Sequence, residues 1–162
     1  MRLRPLRDTD RDAIVAALND YEVSRWLTVV PFPYGTADFD DFLTFLSGTD
    51  PLEGLAIEAD TGVIGVIGIG TSLGYWLGRA HHGQGFMREA ASALVDWYFR
   101  HRDEDELKSG YFDGNLASAA VLTSLGFRPV SEGNIHSCAQ GADVIMKNMC
   151  LTRADWQERE TS

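Results

Sequence analysis

The stretch that decides the fold runs LGYWLGRAHHGQGFMREA over residues 73–90. Residues 73–77 carry aromatic and aliphatic side chains without charge, which predicts a β-strand. Gly83 and Gly85, one residue apart, predict a turn, because glycine accepts positive φ and lets a ligand approach the backbone closely. A helix is predicted to follow, since its apolar residues recur at spacings of three and four: Met87, Ala90, Ala91, Leu94, Val95 and Tyr98.

The start of this helix is a candidate site for an anion. The first turn of a helix has backbone N–H groups without internal partners, and the aligned peptide dipoles add partial positive charge beside them. Phosphate is the ligand that such a turn suits best. The alternative interpretation is an ordinary connection from strand to helix, in which the two glycines only make the turn.

Composition limits the function classes that need to be considered. The chain of 162 residues has the size of one domain, and we expect residues 1–162 to form it. Its net charge of −10 argues against binding to nucleic acid or to an anionic membrane, since each phosphate contact needs a cation. No signal peptide or membrane span is recognisable, and we expect a cytoplasmic protein. Neither a disulfide framework nor a metal site is predicted, because the only cysteines are Cys138 and Cys150 and no metal-ligand spacing occurs.

The sequence before the central stretch predicts two surface helices and several strands. Residues 1–6 predict an edge strand, acidic residues 8–12 the start of a helix, and residues 21–34 an ordered loop. Thr36 is the predicted cap of a second helix. Two apolar runs on either side of residues 60–62 then predict a hairpin.

After the central helix, the pattern predicts a strand at residues 107–112 and a helix capped by Asn115 and ended by Gly126. We expect a strand at 127–130, a polar loop or hairpin at 131–142, a strand at 144–151, and a short turn of helix that frays. This order of elements predicts an α/β (α+β) fold: a single mixed, mostly antiparallel sheet flanked by helices.

The segment GIGTSLG at residues 68–74 invites comparison with the fingerprint of dinucleotide-binding folds. That fingerprint must open into a helix, whereas residues 75–77 predict a strand. We therefore favour a second hairpin turn here. A nicotinamide-dependent oxidoreductase is the minor alternative.

Two motifs together resemble the GNAT family of N-acetyltransferases, especially the branch that acetylates the N-terminal amines of ribosomal proteins. The first motif, GYWL at 74–77 leading into HGQGFMREA at 82–90, is similar to the family's acetyl-CoA pyrophosphate loop and helix. The second is Asn115-x-x-Ser118 followed by LGF at 125–127. One position departs from the family pattern, because Ala80 stands where Gln or Arg is common, and Arg79 beside it is the candidate to supply the lost cation.

The resemblance implies acetyl-CoA as co-substrate and direct attack on its thioester by a primary amine, either a protein N-terminus or a small cationic amine. It implies that the backbone of residues 82–88 holds the pyrophosphate and that the open edge of the 73–77 strand pairs with the pantetheine arm. A backbone amide near Trp76 or Leu77 would polarise the thioester carbonyl. The cofactor-binding residues implied in this way are Trp76, Leu77, Arg79, His82, Gly83, Gln84, Gly85, Phe86, Met87, Arg88, Asn115 and Ser118.

Catalysis needs a proton acceptor and a proton donor, because the amine must lose a proton and the departing sulfur gains from one. Ser118 is the first candidate donor and Tyr111 the second. Glu132 and His136 are the candidate bases, and we favour His136, because histidine as a residue type titrates near neutrality. The plain alternatives are a helix cap for Asn115, a first-turn polar residue for Ser118 and an exposed loop histidine for His136.

The sequence constrains the identity of the acceptor amine least. Acidic residues near the 21–34 loop either attract a cationic amine or simply face solvent: Asp20, Glu22, Asp38, Asp40 and Asp41. The expected partners are acetyl-CoA and the amine, with the chain a monomer or a homodimer. A non-catalytic module that binds acyl-CoA or a protein partner is the alternative function.

Overall fold

A computed structural model describes residues 1–162. Its strands are β1 (Arg2–Pro5), β2 (Leu55–Ala59), β3 (Gly62–Ile69), β4 (Leu73–Leu77), β5 (Glu106–Phe112), β6 (Arg128–Ser137) and β7 (Ala142–Thr152). Its helices are α1 (Arg11–Leu18), α2 (Tyr21–Ser24), α3 (Thr36–Leu46), α4 (Phe86–His101), α5 (Leu116–Ser124) and α6 (Arg153–Thr161). Short 3₁₀ turns precede α1, β2 and α4 at Asp8–Asp10, Pro51–Glu53 and Arg79–His81.

All the strands form one sheet in the order β1-β2-β3-β4-β5-β7-β6. Every neighbouring pair is antiparallel except β4 and β5, which confirms the mixed, mostly antiparallel sheet. β4 and β5 are paired only where Leu73 lies opposite Ser109, and the Ser109 hydroxyl donates to the Leu73 carbonyl at 2.8 Å. Beyond this point the two strands diverge, so the sheet opens near its centre.

Two groups of buried side chains cover the two faces of the sheet. The larger group lies under α4, α5 and α6 and includes Leu73 and Leu77. The smaller group lies under α1, α2 and α3, and Trp76 packs against it. Because side chains alternate along a strand, neighbouring side chains of β4 pack on opposite faces of the sheet. None of the helices has the length and apolar character needed to cross a membrane.

The predicted cap of the second long helix was wrong. Thr36 is the first residue of α3, and Gly35 occupies the N-cap position. The Asp38 carboxylate accepts a hydrogen bond from the Gly35 amide at 2.8 Å. The Asp38 side chain thus reaches back from the first turn to the amide of the N-cap residue, as the acidic residue of a capping box does.

The C-terminal part is more regular than predicted. β6 pairs with β7 from Arg128 to Ser137, with one irregularity between Pro129 and Ser131, so the hairpin is confirmed and the loop alternative for residues 131–142 is wrong. The tail forms the helix α6, which Thr152 caps by accepting from the Asp155 amide at 3.1 Å. Trp156 anchors this helix, because its side chain is 7% exposed and its indole N–H donates to Asp96 at 2.9 Å.

Candidate active site

The opening between β4 and β5 exposes one edge of β4. Along a strand, successive residues direct their backbone N–H and C=O groups alternately to the two sides. The Gly78 amide donates to the Ile64 carbonyl of β3 at 2.8 Å, whereas the Leu73 carbonyl accepts from Ser109 of β5. Even-numbered positions of β4 therefore face β3, and odd-numbered positions face β5.

This alternation separates the two amides that were candidates for the thioester carbonyl. The Trp76 amide belongs to the ladder with β3, where Trp76 lies opposite Val66. The Leu77 amide points into the opening toward β5. Tyr75 shares the orientation of Leu77, and both side chains pack on the face covered by α4 and α5.

Past the end of β4 lies a glycine-rich loop whose amides have no partner in the protein. Gly83 and Gly85 have φ angles of 72° and 81°, which only glycine adopts without strain. A Cβ built on either glycine meets no atom within 4 Å, so the backbone is open to an approaching group. The amides of residues 83–88 donate to no protein acceptor, and no side chain caps α4. The loop is therefore a surface of free hydrogen-bond donors beside the positive end of a helix.

Two side chains of the same loop form hydrogen bonds to nearby backbone carbonyls, and these bonds hold the loop in its shape. The His82 ring contacts the Leu77 carbonyl through Nε2 at 2.8 Å, which requires the proton on that nitrogen. The Gln84 amide donates to the Ala80 carbonyl at 3.1 Å. Met87 is buried in the core under α4, and Phe86 packs against it.

Two arginines flank the loop and differ in their partners. Arg79, the candidate for the lost cation, pairs through Nε with Asp20 at 2.8 Å. Its charge is therefore compensated within the protein. Arg88 is exposed in the first turn of α4 and forms no ion pair within 4.0 Å. Arg88 is thus the cation of this loop that is not engaged by a carboxylate.

Three predicted or neighbouring residues meet between β4 and α5. The Asn115 side chain accepts from the Ser118 amide at 3.2 Å, as expected for a helix cap. The Ser118 hydroxyl lies 2.9 Å from the hydroxyl of Tyr75. Burial raises the pKa of Tyr75 to about 12, although its hydrogen bond to Ser118 acts in the opposite direction. Tyr75 therefore stays protonated near neutral pH and can donate to Ser118.

Tyr75 was not among the predicted site residues. Its position in an apolar strand favours a role in the core, and the sequence does not reveal that its hydroxyl reaches a helix 43 positions later. Only the placement of α5 beside β4 brings the two hydroxyls together.

The other candidate catalytic residues lie further along the sheet. Tyr111 of β5 lies opposite Lys147 of β7, which in turn lies opposite Glu132 of β6. The Glu132 carboxylate accepts a hydrogen bond from Lys147, and this contact raises the pKa of Lys147. His136 Nδ1 lies 3.2 Å from Asp143 across the hairpin, and both side chains are exposed. Neither His136 nor Tyr111 has a hydrogen bond to Ser118.

On the other side of the opening, the 21–34 loop is hydrogen-bonded to the tip of the β6–β7 hairpin. The Cys138 amide donates to the Thr28 carbonyl at 3.0 Å, and the Gln140 side chain donates to the Arg25 carbonyl at 2.8 Å. Trp26 reaches the turn between β5 and α5, where its ring lies 3.9 Å from the position of a Cβ on Gly114. The opening is thus bordered by the loop that follows α2.

The glycines that suggested a dinucleotide fingerprint have a packing role. A Cβ on Gly68 would lie 2.0 Å from the Glu53 carbonyl, and one on Gly70 would lie 2.6 Å from the Glu53 carboxylate. The chain then turns into β4 rather than into a helix. The predicted hairpin turn is confirmed, and the segment lacks the helix that a dinucleotide fingerprint requires.

Comparison with known proteins agrees with this geometry. A family model described as the acetyltransferase (GNAT) domain matches residues 1–128. The uncharacterized N-acetyltransferase p20 of Bacillus licheniformis is 27% identical over 142 residues, which cover 79% of this chain and 79% of that protein.

Solved structures share the fold over nearly the whole chain. A ribosomal-protein-alanine N-acetyltransferase from Brucella melitensis has a TM-score of 0.73 at 21% identity, covering 94% of this chain and 99% of that one. A spermidine N-acetyltransferase from Vibrio cholerae, in complex with CoA and spermine, has a TM-score of 0.78 at 16% identity, covering 96% and 97%. Since the family model spans most of the sequence and the fold agrees, the chain belongs to the GNAT family of acetyltransferases, with acetyl-CoA as its co-substrate.

Proposed function

We propose that the chain transfers an acetyl group from acetyl-CoA to a primary amine by direct attack, with residues 1–162 acting as one acyltransferase domain. The observation that carries this proposal is the run of unpartnered amides at residues 83–88, located directly past the open edge of β4. A diphosphate is the group that such a run of donors at a helix start binds best. Acetyl-CoA supplies a thioester attached to such a diphosphate.

The residues around the loop fit this ligand. The open backbone at Gly83 and Gly85 admits the pyrophosphate, and Arg88 adds a positive charge that no carboxylate of the protein neutralises. The backbone groups of Tyr75 and the Leu77 amide are those that an extended pantetheine arm would pair with, in the manner of an added strand, whereas the Leu77 carbonyl already accepts from His82. The Asn115 side chain is the expected further contact, although its Oδ1 already accepts from Ser118.

The Leu77 amide is the proposed donor to the thioester oxygen. It points into the opening, whereas the Trp76 amide faces β3. Negative charge develops on that oxygen during attack, and a fixed amide stabilises it without reorganisation. Trp76 then has a structural role, because its side chain packs under α1 to α3.

The Ser118 hydroxyl is the proposed proton donor to the departing sulfur, and Tyr75 positions it. A hydroxyl accepts as well as donates, so a proton from Tyr75 to the Ser118 oxygen leaves the Ser118 proton free to point toward the opening. Tyr111 stays the second candidate donor. We assign His136 as the base that takes the proton of the amine, and the Asp143 carboxylate, 3.2 Å from Nδ1, orients its ring.

The test measures transfer and binding separately. Acetyl-CoA is incubated with a panel of primary amines, namely peptides with free N-termini, polyamines, amino sugars and amino acids, and CoA release is followed with a thiol reagent. We expect release that depends on one amine class, together with CoA binding in calorimetry. Tight CoA binding without transfer to any amine would instead favour a non-catalytic acyl-CoA-binding module.

A further inference from the structure

The last strand of the sheet leaves a long backbone edge without a neighbour. β6 ends the strand order and pairs only with β7. It has 10 residues, and every residue from Arg128 to Asn134 is exposed. The other edge strand, β1, has 4 residues and ends in Pro5, which has no amide to donate. The outer edge of β6 is therefore the place in this sheet where another strand can add.

Strand register identifies the backbone groups on this outer edge. The Asp113 amide donates to the Ile145 carbonyl at 2.8 Å, so Ile145 directs its backbone groups to the β5 side of β7. Val144 therefore faces β6, where it lies opposite Ile135. Because directions alternate, Ile135 faces β7 and the even-numbered positions face outward. The outward positions with exposed side chains are Glu132, Asn134 and His136.

The free part of the outer edge is bounded at both ends. At one end the amide of Cys138, the next even-numbered position, donates to the Thr28 carbonyl at 3.0 Å, so the loop after α2 occupies the edge there. At the other end the pairing with β7 is irregular between Pro129 and Ser131, and such a bulge bends a strand. The free outward groups between these limits are centred on Asn134.

An antiparallel copy of β6 centred on Asn134 matches the outward residues in charge. In that register Glu132 lies opposite the partner's His136, and His136 lies opposite the partner's Glu132. Lys147 donates to Glu132, and Asp143 lies 3.2 Å from His136, so the row of side chains alternates between basic and acidic across both copies. Pairs of opposite charge directly across two strands stabilise an antiparallel pairing.

The same register also fits the other face of the strand. Gly133 lies opposite the partner's Ile135, in the kind of pair that brings side chains closest together. A Cβ built on Gly133 meets no atom within 4 Å, so there is room for that isoleucine. Moving the centre to Gly133 or Ile135 would place Glu132 opposite the partner's Asn134 or the partner's Cys138, and the charge match would be lost.

We propose that two copies of this chain pair through β6, antiparallel across a two-fold axis at Asn134, and so join their sheets into one. The occupant is a second copy because the outward residues are complementary to themselves, as a two-fold contact requires. Backbone hydrogen bonds between the outward positions supply the attraction. The charge pairs and the fit at Gly133 fix the register.

The first test measures association of the full chain without acetyl-CoA or amine, so its outcome does not depend on acetyl transfer. Light scattering and analytical ultracentrifugation should give twice the chain mass of 17.9 kDa, with dissociation on dilution. Asn134→Pro removes the amide at the two-fold axis, and we expect association at least about tenfold weaker. Asn134→Ala keeps that amide and is the matched control, which should stay within about twofold of the wild type. Thermal unfolding followed by circular dichroism shows that each variant is folded.

The second test exchanges charges between the two copies. Glu132→Lys places two basic side chains opposite each other, and His136→Glu places two acidic ones. Each variant alone should therefore associate at least about tenfold more weakly than the wild type. An equal mixture of the two should associate again, because the introduced lysine then faces the introduced glutamate, while the native Glu132 faces the native His136.

A control variant separates this contact from net charge. Asp60→Lys makes the same charge change as Glu132→Lys in the exposed turn between β2 and β3, away from β6. It should leave association within about twofold of the wild type.

Several results would overturn the pairing through β6. A wild type that keeps the mass of one chain up to about 1 mM would do so, because even a weak dimer forms at that concentration. Association that survives Asn134→Pro, or that survives in each charge variant alone, would place the contact on another surface. A mixture of the charge variants that stays monomeric would reject the register. Amides of β6 that become protected from deuterium exchange only when an acceptor peptide is added would assign the edge to that peptide instead.

Discussion

Tyr75 and Ser118 act as a pair in the proposed mechanism, and kinetics can show it. Ser118→Ala removes the proton donor, and we expect kcat to fall about 100-fold with little change in the affinity for acetyl-CoA. Tyr75→Phe leaves Ser118 in place without its hydrogen bond, and we expect a loss of about tenfold. Steady-state kinetics and calorimetry measure the two quantities separately.

The double variant distinguishes a pair from two independent residues. If Tyr75 acts through Ser118, then Tyr75→Phe combined with Ser118→Ala should be no slower than Ser118→Ala alone. Losses that multiply would contradict the positioning role of Tyr75. A fall in acetyl-CoA affinity equal to the fall in kcat/KM would make Ser118 a binding residue only.

Two tyrosines, Tyr34 and the partly buried Tyr75, predict a loss of stability at alkaline pH. Burial raises the pKa of Tyr75 to about 12, and burial together with Asp38, Asp40 and Asp41 does the same for Tyr34. Tyrosine in an unfolded chain titrates near pH 10, so between about pH 10 and 12 the unfolded state loses protons that the folded state keeps. The free energy of unfolding therefore falls as the pH rises through this window.

Urea unfolding at about pH 9 and 11 tests this expectation. Tyr75→Phe and Tyr34→Phe should each reduce the alkaline loss, by on the order of 1 kcal/mol. The same decline in the wild type and in both variants would show that other groups cause it.

The connection from β4 to α4 is the element on which cofactor binding depends. Gly83→Asp and Gly85→Asp add a carboxylate where the pyrophosphate is proposed to bind, and we expect at least a 100-fold loss of CoA affinity from repulsion and strain. Titration calorimetry with CoA measures the loss.

Gly141→Asp is the control for this pair. Gly141 has a φ of 62° and open space at its Cβ, so the substitution adds the same charge and similar strain at the hairpin tip. It should leave CoA affinity within about threefold of the wild type. Unchanged affinity in Gly83→Asp and Gly85→Asp would place the pyrophosphate elsewhere.

Elements with clear periodicity could be predicted from the sequence, whereas polar ones could not. The apolar spacing of α4 and the turn residues Asn115 and Gly126 predicted their elements, because each follows a local rule of geometry. Residues 131–142 were expected to be a loop or a hairpin because they are polar, and the backbone pairing of β6 with β7 decides for the hairpin. The tail was expected to form a short capped turn and then to fray, as chain ends commonly do, whereas the burial of Trp156 anchors the whole of α6.

The same distinction holds for the site. The glycine-rich turn could be predicted because the residues that form it are adjacent in the sequence. The contacts of Tyr75 with Ser118 and of Trp26 with the Gly114 turn join distant segments, so they required the packed structure. Which β4 amide faces the opening also depended on strand register, which the sequence leaves undetermined.

Arg4 connects the edge strand β1 to the rest of the molecule and predicts its response to acid. It donates to the two oxygens of Asp10 at 2.7 and 2.9 Å, and its Nε donates to Glu58 at 2.6 Å. Burial alone would raise the pKa of Asp10, but hydrogen bonds from Arg4 and the Arg7 amide outweigh it and lower that pKa. A lowered pKa stabilises the fold above the ordinary value near 4, and this stability is lost as the pH falls below it.

Asp10→Asn should therefore destabilise the protein by about 3 kcal/mol near neutral pH, because it leaves the largely buried Arg4 without a charged partner at that position. Chemical denaturation at about pH 7 and 3 should show the cost shrinking in acid, where the wild-type carboxyl is itself protonated. Asp8→Asn changes an exposed neighbour and is the control. A cost that does not depend on pH would indicate a packing effect instead of an ion pair.

The uncapped start of α4 has a consequence for its motions. The amides of residues 83–88 have no acceptor within the protein, so deuterium should replace their hydrogens at rates close to those of an unstructured peptide. Protection appearing at these positions with CoA, and spreading little beyond the first turn of the helix, would make the ligand the missing cap of α4. Coenzyme binding and the ordering of a helix end would then be one event.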